Sequence, residues 1–204
     1  PWNQVNFETV YGVGGNGPAA GQWYLRAPAG VVQSSLDIER AWSVTTGNPA
    51  IVVAVLDTGV RFDHPDLLPV TAGGKLLTGY DMITDTDVAN DGDGRESDGS
   101  DPGDWVSSAE ANNRNGPYYE CTTLDEGTGQ YAAESSSWHG TQVSGVIAAI
   151  TGNGVGMAGV GPNIRVLPVR VLGKCGGYDS DILAGMRWGA GLFVRGLPSN
   201  LTRA

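Results

Sequence analysis

The chain has 204 residues, enough for one sizeable domain, and its 40% hydrophobic content with 32 glycines marks a folded rather than a disordered protein. A formal net charge of −10, with only 12 Lys and Arg scattered along the chain, excludes recognition of a nucleic-acid backbone. No run of about 18 apolar residues is present to cross a bilayer, so neither nucleic acid nor membrane is expected as a partner.

The opening residues Pro1-Trp2-Asn3-Gln4 lack the basic start and apolar stretch of an export signal, which is expected to be absent or already removed. Residues 1–30, rich in Gly, Pro and Ala, read as an irregular arm packed down by Trp23 and Tyr24. Ser34 or Ser35 then stands as an N-cap before Leu36-Asp37-Ile38-Glu39-Arg40-Ala41-Trp42, which predicts a short helix ending near Gly47. Ile51 to Leu56 is a continuous β-branched and apolar run without alternation, as in a parallel strand buried on both faces. Asp57 closes it. Functional groups in open α/β sheets gather at carboxyl ends of strands, so Asp57 is a site candidate, with a turn or cap aspartate as the alternative.

Of the two histidines, His64 precedes Pro65, in a setting that favours a structural or capping role. Residues 81–129 hold little periodicity and many Gly, Asp, Asn and Ser, and read as a long acidic surface insertion. Within it, Asp91, Asp93, Arg95, Asp98 and Asp101 are the positions expected around a calcium ion. Carboxylates two residues apart among glycines suit the oxygen ligands that calcium takes, although the spacing is not that of an EF-hand. A solvated acidic loop is the alternative. Cys121 and Cys175 are a disulfide or two separate thiols on count alone.

A helix is predicted from His139 through Ile150, a strand over Arg165 to Leu172 with Pro168 marking an edge or irregularity, and a last helix opened by Asp179-Ser180-Asp181. His139, at a helix start, can present its ring to a cleft while a carboxylate fixes its tautomer, and Asp57 is the natural partner. Strand, helix, strand, helix is the order of a doubly wound α/β fold with a mostly parallel sheet and helices on both faces.

Four blocks, Val53-Ala54-Val55-Leu56-Asp57-Thr58-Gly59-Val60, His64-Pro65-Asp66-Leu67, His139-Gly140-Thr141 with Val143-Ser144-Gly145, and Val169-Arg170-Val171-Leu172-Gly173, resemble in order those of subtilisin-like serine proteases. The likeness spans roughly residues 22–190 and is greatest to secreted bacterial members with a long acidic insertion and paired cysteines. It implies a secreted, extracellular endopeptidase acting on peptide or protein substrates, with Asp57 orienting His139 and His139 moving the proton of a serine. It also implies that Gly173, Cys175, Gly176 and Gly177 form the edge that pairs with an extended substrate backbone.

The same resemblance implies a Cys121–Cys175 disulfide and a second calcium near Asp66 and Asn153. Gln142 stands where the family usually has a second histidine, a departure that bears on packing. Ser135, Ser136, Ser137, Ser144 and Ser180 all lack the glycine-flanked setting of the family's nucleophile, Ser180 being read as a cap. The expectation is therefore an N-terminal portion of one peptidase domain, inactive alone, completed by a C-terminal remainder carrying the serine. A pseudoenzyme or fragment that binds peptides or a partner is the alternative.

Overall fold

The computed structural model describes residues 22–30 and 33–204, so most of the predicted arm lies outside the described residues. The described residues divide into two compact units, one of those up to 53 with 62–77 and 142–166, the other of residues 54–61, 78–141 and 167–204.

In the first unit, Leu25, Ile38 and Ala158 form a buried cluster against which Tyr24, Trp42 and Val160 pack. Trp23 meets Tyr24 edge to face, with ring centroids 6.0 Å apart. Polar pairing locks the cluster: the Gln22 amide donates to the Ala158 carbonyl and accepts its N–H, both at 2.8 Å, and Trp42 Nε1 donates to Val160 O. Such full pairing removes the cost of burying an amide, about 1–3 kcal/mol for each group left unmet. The helix α1 runs Ile38–Val44, shorter than predicted. Its N-cap is Asp37 in the left-handed region (φ 54°), held by an ion pair to Arg40, and the predicted cap Ser35 is buried with its hydroxyl unpartnered among the described residues.

The second unit carries the ends of the strands. Strand β1 is Val52–Asp57, ending on the expected aspartate, and β2 is Tyr80–Asp81. Helices α2, Thr86–Ala89, and α3, Ser108–Ala111, lie in the segment predicted to be irregular, followed by β3, Leu124–Asp125, and β4, Gln130–Tyr131, paired antiparallel. That segment builds its own core from Ile83, Val88, Ala89, Val106, Ala111 and Tyr118. Caps explain its short helices. Asp85 accepts the N–H groups of Asp87 and Val88, and Ser107 and Glu110 form a reciprocal capping box whose Ser-x-x-Glu signature the sequence reading passed over.

Helix α4 is His139–Ala148, β5 is Arg165–Arg170 and α5 is Asp179–Gly189. The sheet order is β1-β5-β2, with Tyr80 opposite Val169 and Asp81 opposite Arg170 in parallel register. Pro168 therefore sits in a central strand rather than at an edge. The ladder absorbs it because β2 begins only at Tyr80, and the preceding Thr78 carbonyl accepts the Gly99 N–H at 3.1 Å instead. Strand β5 is almost wholly buried, whereas β1, with a single neighbour among the described residues, is only half-buried along most of its length, against the expectation of burial on both faces.

Helix α5 approaches the sheet through glycine. A side chain at Gly185 would lie 2.7 Å from Val171, and Trp188 stacks on Tyr80 at 5.0 Å between ring centroids. Its N-cap is Tyr178, so Ser180 lies inside the first turn and is no cap.

Candidate active site

Asp57 ends β1 and is buried, at 7% exposure, whereas the His139 side chain at the start of α4 is 61% exposed. The imidazole Nδ1 lies 2.8 and 2.9 Å from the two Asp57 oxygens, and Oδ1 also accepts the Thr58 N–H at 2.7 Å. A carboxylate on Nδ1 selects the tautomer with the proton there and directs Nε2 outward as a base.

The short distance between a strand end and a helix start has a local cause. A Cβ at Gly140 would fall 2.1 Å from the Gly59 carbonyl oxygen and 3.1 Å from Asp57 Cβ, so only glycine after the histidine lets the two elements meet. The Gly140 N–H donates to Thr58 Oγ1 at 3.1 Å, and Thr141 Oγ1 accepts the Arg61 N–H at 3.0 Å. Trp138 adopts φ 51° ahead of the helix, with the Arg61 guanidinium 5.1 Å from its ring centre.

His64 is structural: its Nδ1 accepts the Asp66 N–H at 3.2 Å, and burial lowers its pKa from the ordinary value. Ser137 Oγ donates to Asp104 and accepts the His139 N–H, and Ser144 is buried at 1% exposure within α4.

The edge predicted for substrate closes partly on itself. Gly173 and Gly176 exchange N–H···O bonds of 2.8 and 3.1 Å across a turn in which Cys175 takes φ 59°. Side chains at Gly173 and Gly177 would strike the protein's own Val88 and Val171 carbonyls, at 2.0 and 2.1 Å, whereas a Cβ at Gly176 would meet open space. Two of the three glycines thus serve internal packing. Cys175 is joined to Cys121 by a disulfide, which ties the insertion to this edge.

The acidic positions separate into different jobs. Asp91 and Asp93 come together with Glu96, their ligand atoms within 4.8 Å of one another, and Glu96 was not among the expected ligands. Arg95 instead bridges the Met82 carbonyl and Asp181, Asp98 turns back onto Ser100, and buried Asp101 accepts from Thr58 and the Gly103 N–H. Asp91 also pairs with buried Arg170, whose guanidinium donates as well to Asp81 and the Ala89 carbonyl. Desolvation first, then the carboxylates of Asp93, Asp98 and Asp91, raise the Glu96 pKa, a repulsion that a divalent cation would relieve. In the first unit Asp66 does meet Asn153, but its oxygens accept the Asn153 amide and the Met157 N–H, both at 2.9 Å.

A family model described as the subtilase family matches residues 48–198. The chain belongs to the subtilase family. It is 43% identical over 175 residues to an extracellular protease of Xanthomonas campestris pv. campestris, covering 86% of this chain and 26% of that protein. An extracellular basic protease of Dichelobacter nodosus is 41% identical over 179 residues, covering 88% of this chain and 26% of its own. Among solved structures, a protease of Pseudoalteromonas arctica PAMC 21717 superposes with a TM-score of 0.72 at 48% identity, over 90% of this subtilase chain and 46% of that one. The fold is accordingly the doubly wound α/β fold with a parallel sheet. The chain spans about a quarter of the length of the two curated relatives.

Proposed function

We propose that this subtilase chain supplies the base and its orienting acid, His139 and Asp57, to a secreted serine endopeptidase. The observation that carries this is the buried Asp57 carboxylate held against Nδ1 of an exposed imidazole at 2.8 Å. In the proposed reaction His139 Nε2 takes the proton of a serine hydroxyl as that oxygen attacks a peptide carbonyl, and returns it to the leaving amine. Asp57 holds the tautomer and stabilises the imidazolium between the two transfers. The serine is assigned to another part of the protein, since Ser135, Ser136, Ser137, Ser144 and Ser180 lack the glycine-flanked setting of the family's nucleophile, Ser144 is also buried and Ser137 is engaged with Asp104. Secretion is supported by the two relatives named extracellular.

Asp91, Asp93 and Glu96 suit a calcium ion by their all-oxygen character, and such an ion would stiffen the insertion. The substrate backbone is proposed to lie along Gly176.

Labelling the full-length protein with a serine-reactive fluorophosphonate tests the reading. The expected result is one labelled serine, with labelling abolished by His139→Ala and turnover lowered about 10⁴-fold by Asp57→Asn. Peptide binding without label or turnover would make the protein a binding module and overturn it.

A further inference from the structure

Two neighbouring side chains fasten the turn that carries Gly176, and both run into the insertion. Cys175, at φ 59° in the left-handed region that a Cβ disfavours, is joined to Cys121. Lys174 is fastened elsewhere. Its N–H donates to the Val88 carbonyl at 3.0 Å, and its ammonium donates to Glu110 Oε1 at 2.8 Å, lying 4.2 Å from the Trp105 ring centre and 5.4 Å from that of Tyr118. The lysine is buried, at 7% exposure, which a charged side chain tolerates when paired. Its acceptor is itself held: Glu110 Oε2 takes the Ser107 N–H at 2.8 Å and the Ser107 hydroxyl at 2.6 Å, within the capping box of α3. A flexible four-carbon stem is thereby fixed at both ends.

The same stretch of the insertion reaches the proposed base. Asp104, the residue before Trp105, accepts the Ser137 N–H at 2.6 Å and the Ser137 hydroxyl at 2.8 Å, and Ser137 Oγ accepts the His139 N–H at 3.2 Å. Trp105 thus meets the lysine of the substrate edge while its neighbour holds the segment leading into His139. Asp104, Ser137, Cys175 and Gly176 also line one depression of about 140 Å³, which brings the two segments to the same cleft. Gly176, over which a Cβ would meet open space, is the part of the turn that a second backbone can approach.

We propose that Lys174 is a positioning residue for substrate: seated on Glu110 and the Trp105 ring, it fixes the Gly176 backbone at the spacing from His139 that an extended peptide needs. The role in substrate binding rests on the reading of Gly176 as the substrate edge; the fixing of the turn does not.

The test uses the full-length protein in calcium-containing buffer and two substrates. One is a quenched alanine-rich decapeptide, long enough to cross Gly176 on either side of the bond, and the other a thiobenzyl ester of acetyl-alanine, which is too short to do so. Lys174→Met keeps the stem and removes the charge, and with the disulfide intact the turn should shift rather than detach. The ratio of kcat/KM for decapeptide over ester is expected to fall about tenfold, chiefly through KM for the decapeptide. A loss of folded enzyme alone would lower both substrates alike and leave the ratio where it was, so an unchanged ratio overturns the proposal. Should Lys174→Met fail to fold, Trp105→Ala, at a residue 45% exposed, reads the same contact: the ratio should fall about threefold, and an unchanged one overturns the proposal. Amide hydrogen exchange over residues 173–177 should quicken about tenfold in the variant that folds, and unaltered exchange would show that Lys174 does not hold the turn. Failure of the wild type to cleave either substrate would count against the protease reading alone, with exchange still deciding the hold on the turn.

Discussion

Thr58 and Asp101, 43 residues apart, share a buried hydrogen bond of 2.7 Å that sets the direction of the Thr58 hydroxyl. Because the proton points to the carboxylate, the oxygen faces the Gly140 N–H and holds the residue next to His139. Burial raises the Asp101 pKa, while bonds from Thr58 and Gly103 pull it down, so the pair is sensitive to loss of either member. Thr58→Val should lower stability by about 3 kcal/mol, since it leaves a buried carboxylate short of a donor and Gly140 short of an acceptor. It should also lower kcat more than it raises KM. Thr58→Ser, which keeps the oxygen, should restore both. Denaturant melts and steady-state kinetics on the three proteins check this, and a Ser variant as impaired as Val would remove the hydroxyl from the account.

Gly140→Ala would place a methyl 2.1 Å from the Gly59 oxygen. The strand end and helix start must then part, at a cost of about 1–3 kcal/mol in overpacking. A shift near 1 Å between Asp57 and His139 should lower kcat about a hundredfold. Kinetics together with the His139 imidazole proton shift in NMR would show whether the contact to Asp57 has lengthened.

Glu110 sets an acid limit. Hydrogen bonds from Lys174, then from Ser107, depress its pKa from 4.5 to about 2. A carboxyl whose folded pKa lies below its unfolded one stabilises the fold above the unfolded value, and that stability is lost as pH falls through the folded value. The contribution is therefore intact above 4.5 and fades toward about 2. Glu110→Gln should be less stable than wild type at neutral pH, and the two should converge toward pH 2, as read by melting midpoints across that range. Parallel curves would show that the pair does not titrate with folding.

Calcium should stabilise the protein by mass action, by about 2.7 kcal/mol at a hundredfold excess over Kd if a single site is filled. Chelation should lower the melting midpoint, and Glu96→Gln and Asp93→Asn should each reduce the gain on adding the ion back. A midpoint indifferent to chelator would leave the three carboxylates as a solvated cluster.

Arg170 shows where sequence reading stops. Sequence places it only within the predicted strand, yet the folded chain buries it at 1% exposure among Asp81, Asp91 and the Ala89 carbonyl. Partners 89 and 79 residues away are invisible to any local pattern. Asp101, expected among the calcium positions, accepts the Thr58 hydroxyl and the Gly103 N–H: composition reveals how many carboxylates there are, not which hydroxyl or amide each will meet. Glu96 lies in the same run, and its approach to Asp91 and Asp93 follows from how the loop folds rather than from spacing alone.

What the sequence determined by itself is local and periodic. The apolar run ending on Asp57, the helix opening at His139 and the glycine that follows it are consequences of side-chain shape and backbone freedom within a few residues. The four ordered blocks carried the family, and with it the pairing of Asp57 with His139. Only the tertiary structure decided that Pro168 lies in a central strand, that the acidic insertion folds around a core of its own, and that Arg170 is buried among carboxylates far away in the chain. Each depends on burial and on contacts between residues distant in the chain, where desolvation makes the choice of partner worth several kcal/mol and no nearest-neighbour pattern records it.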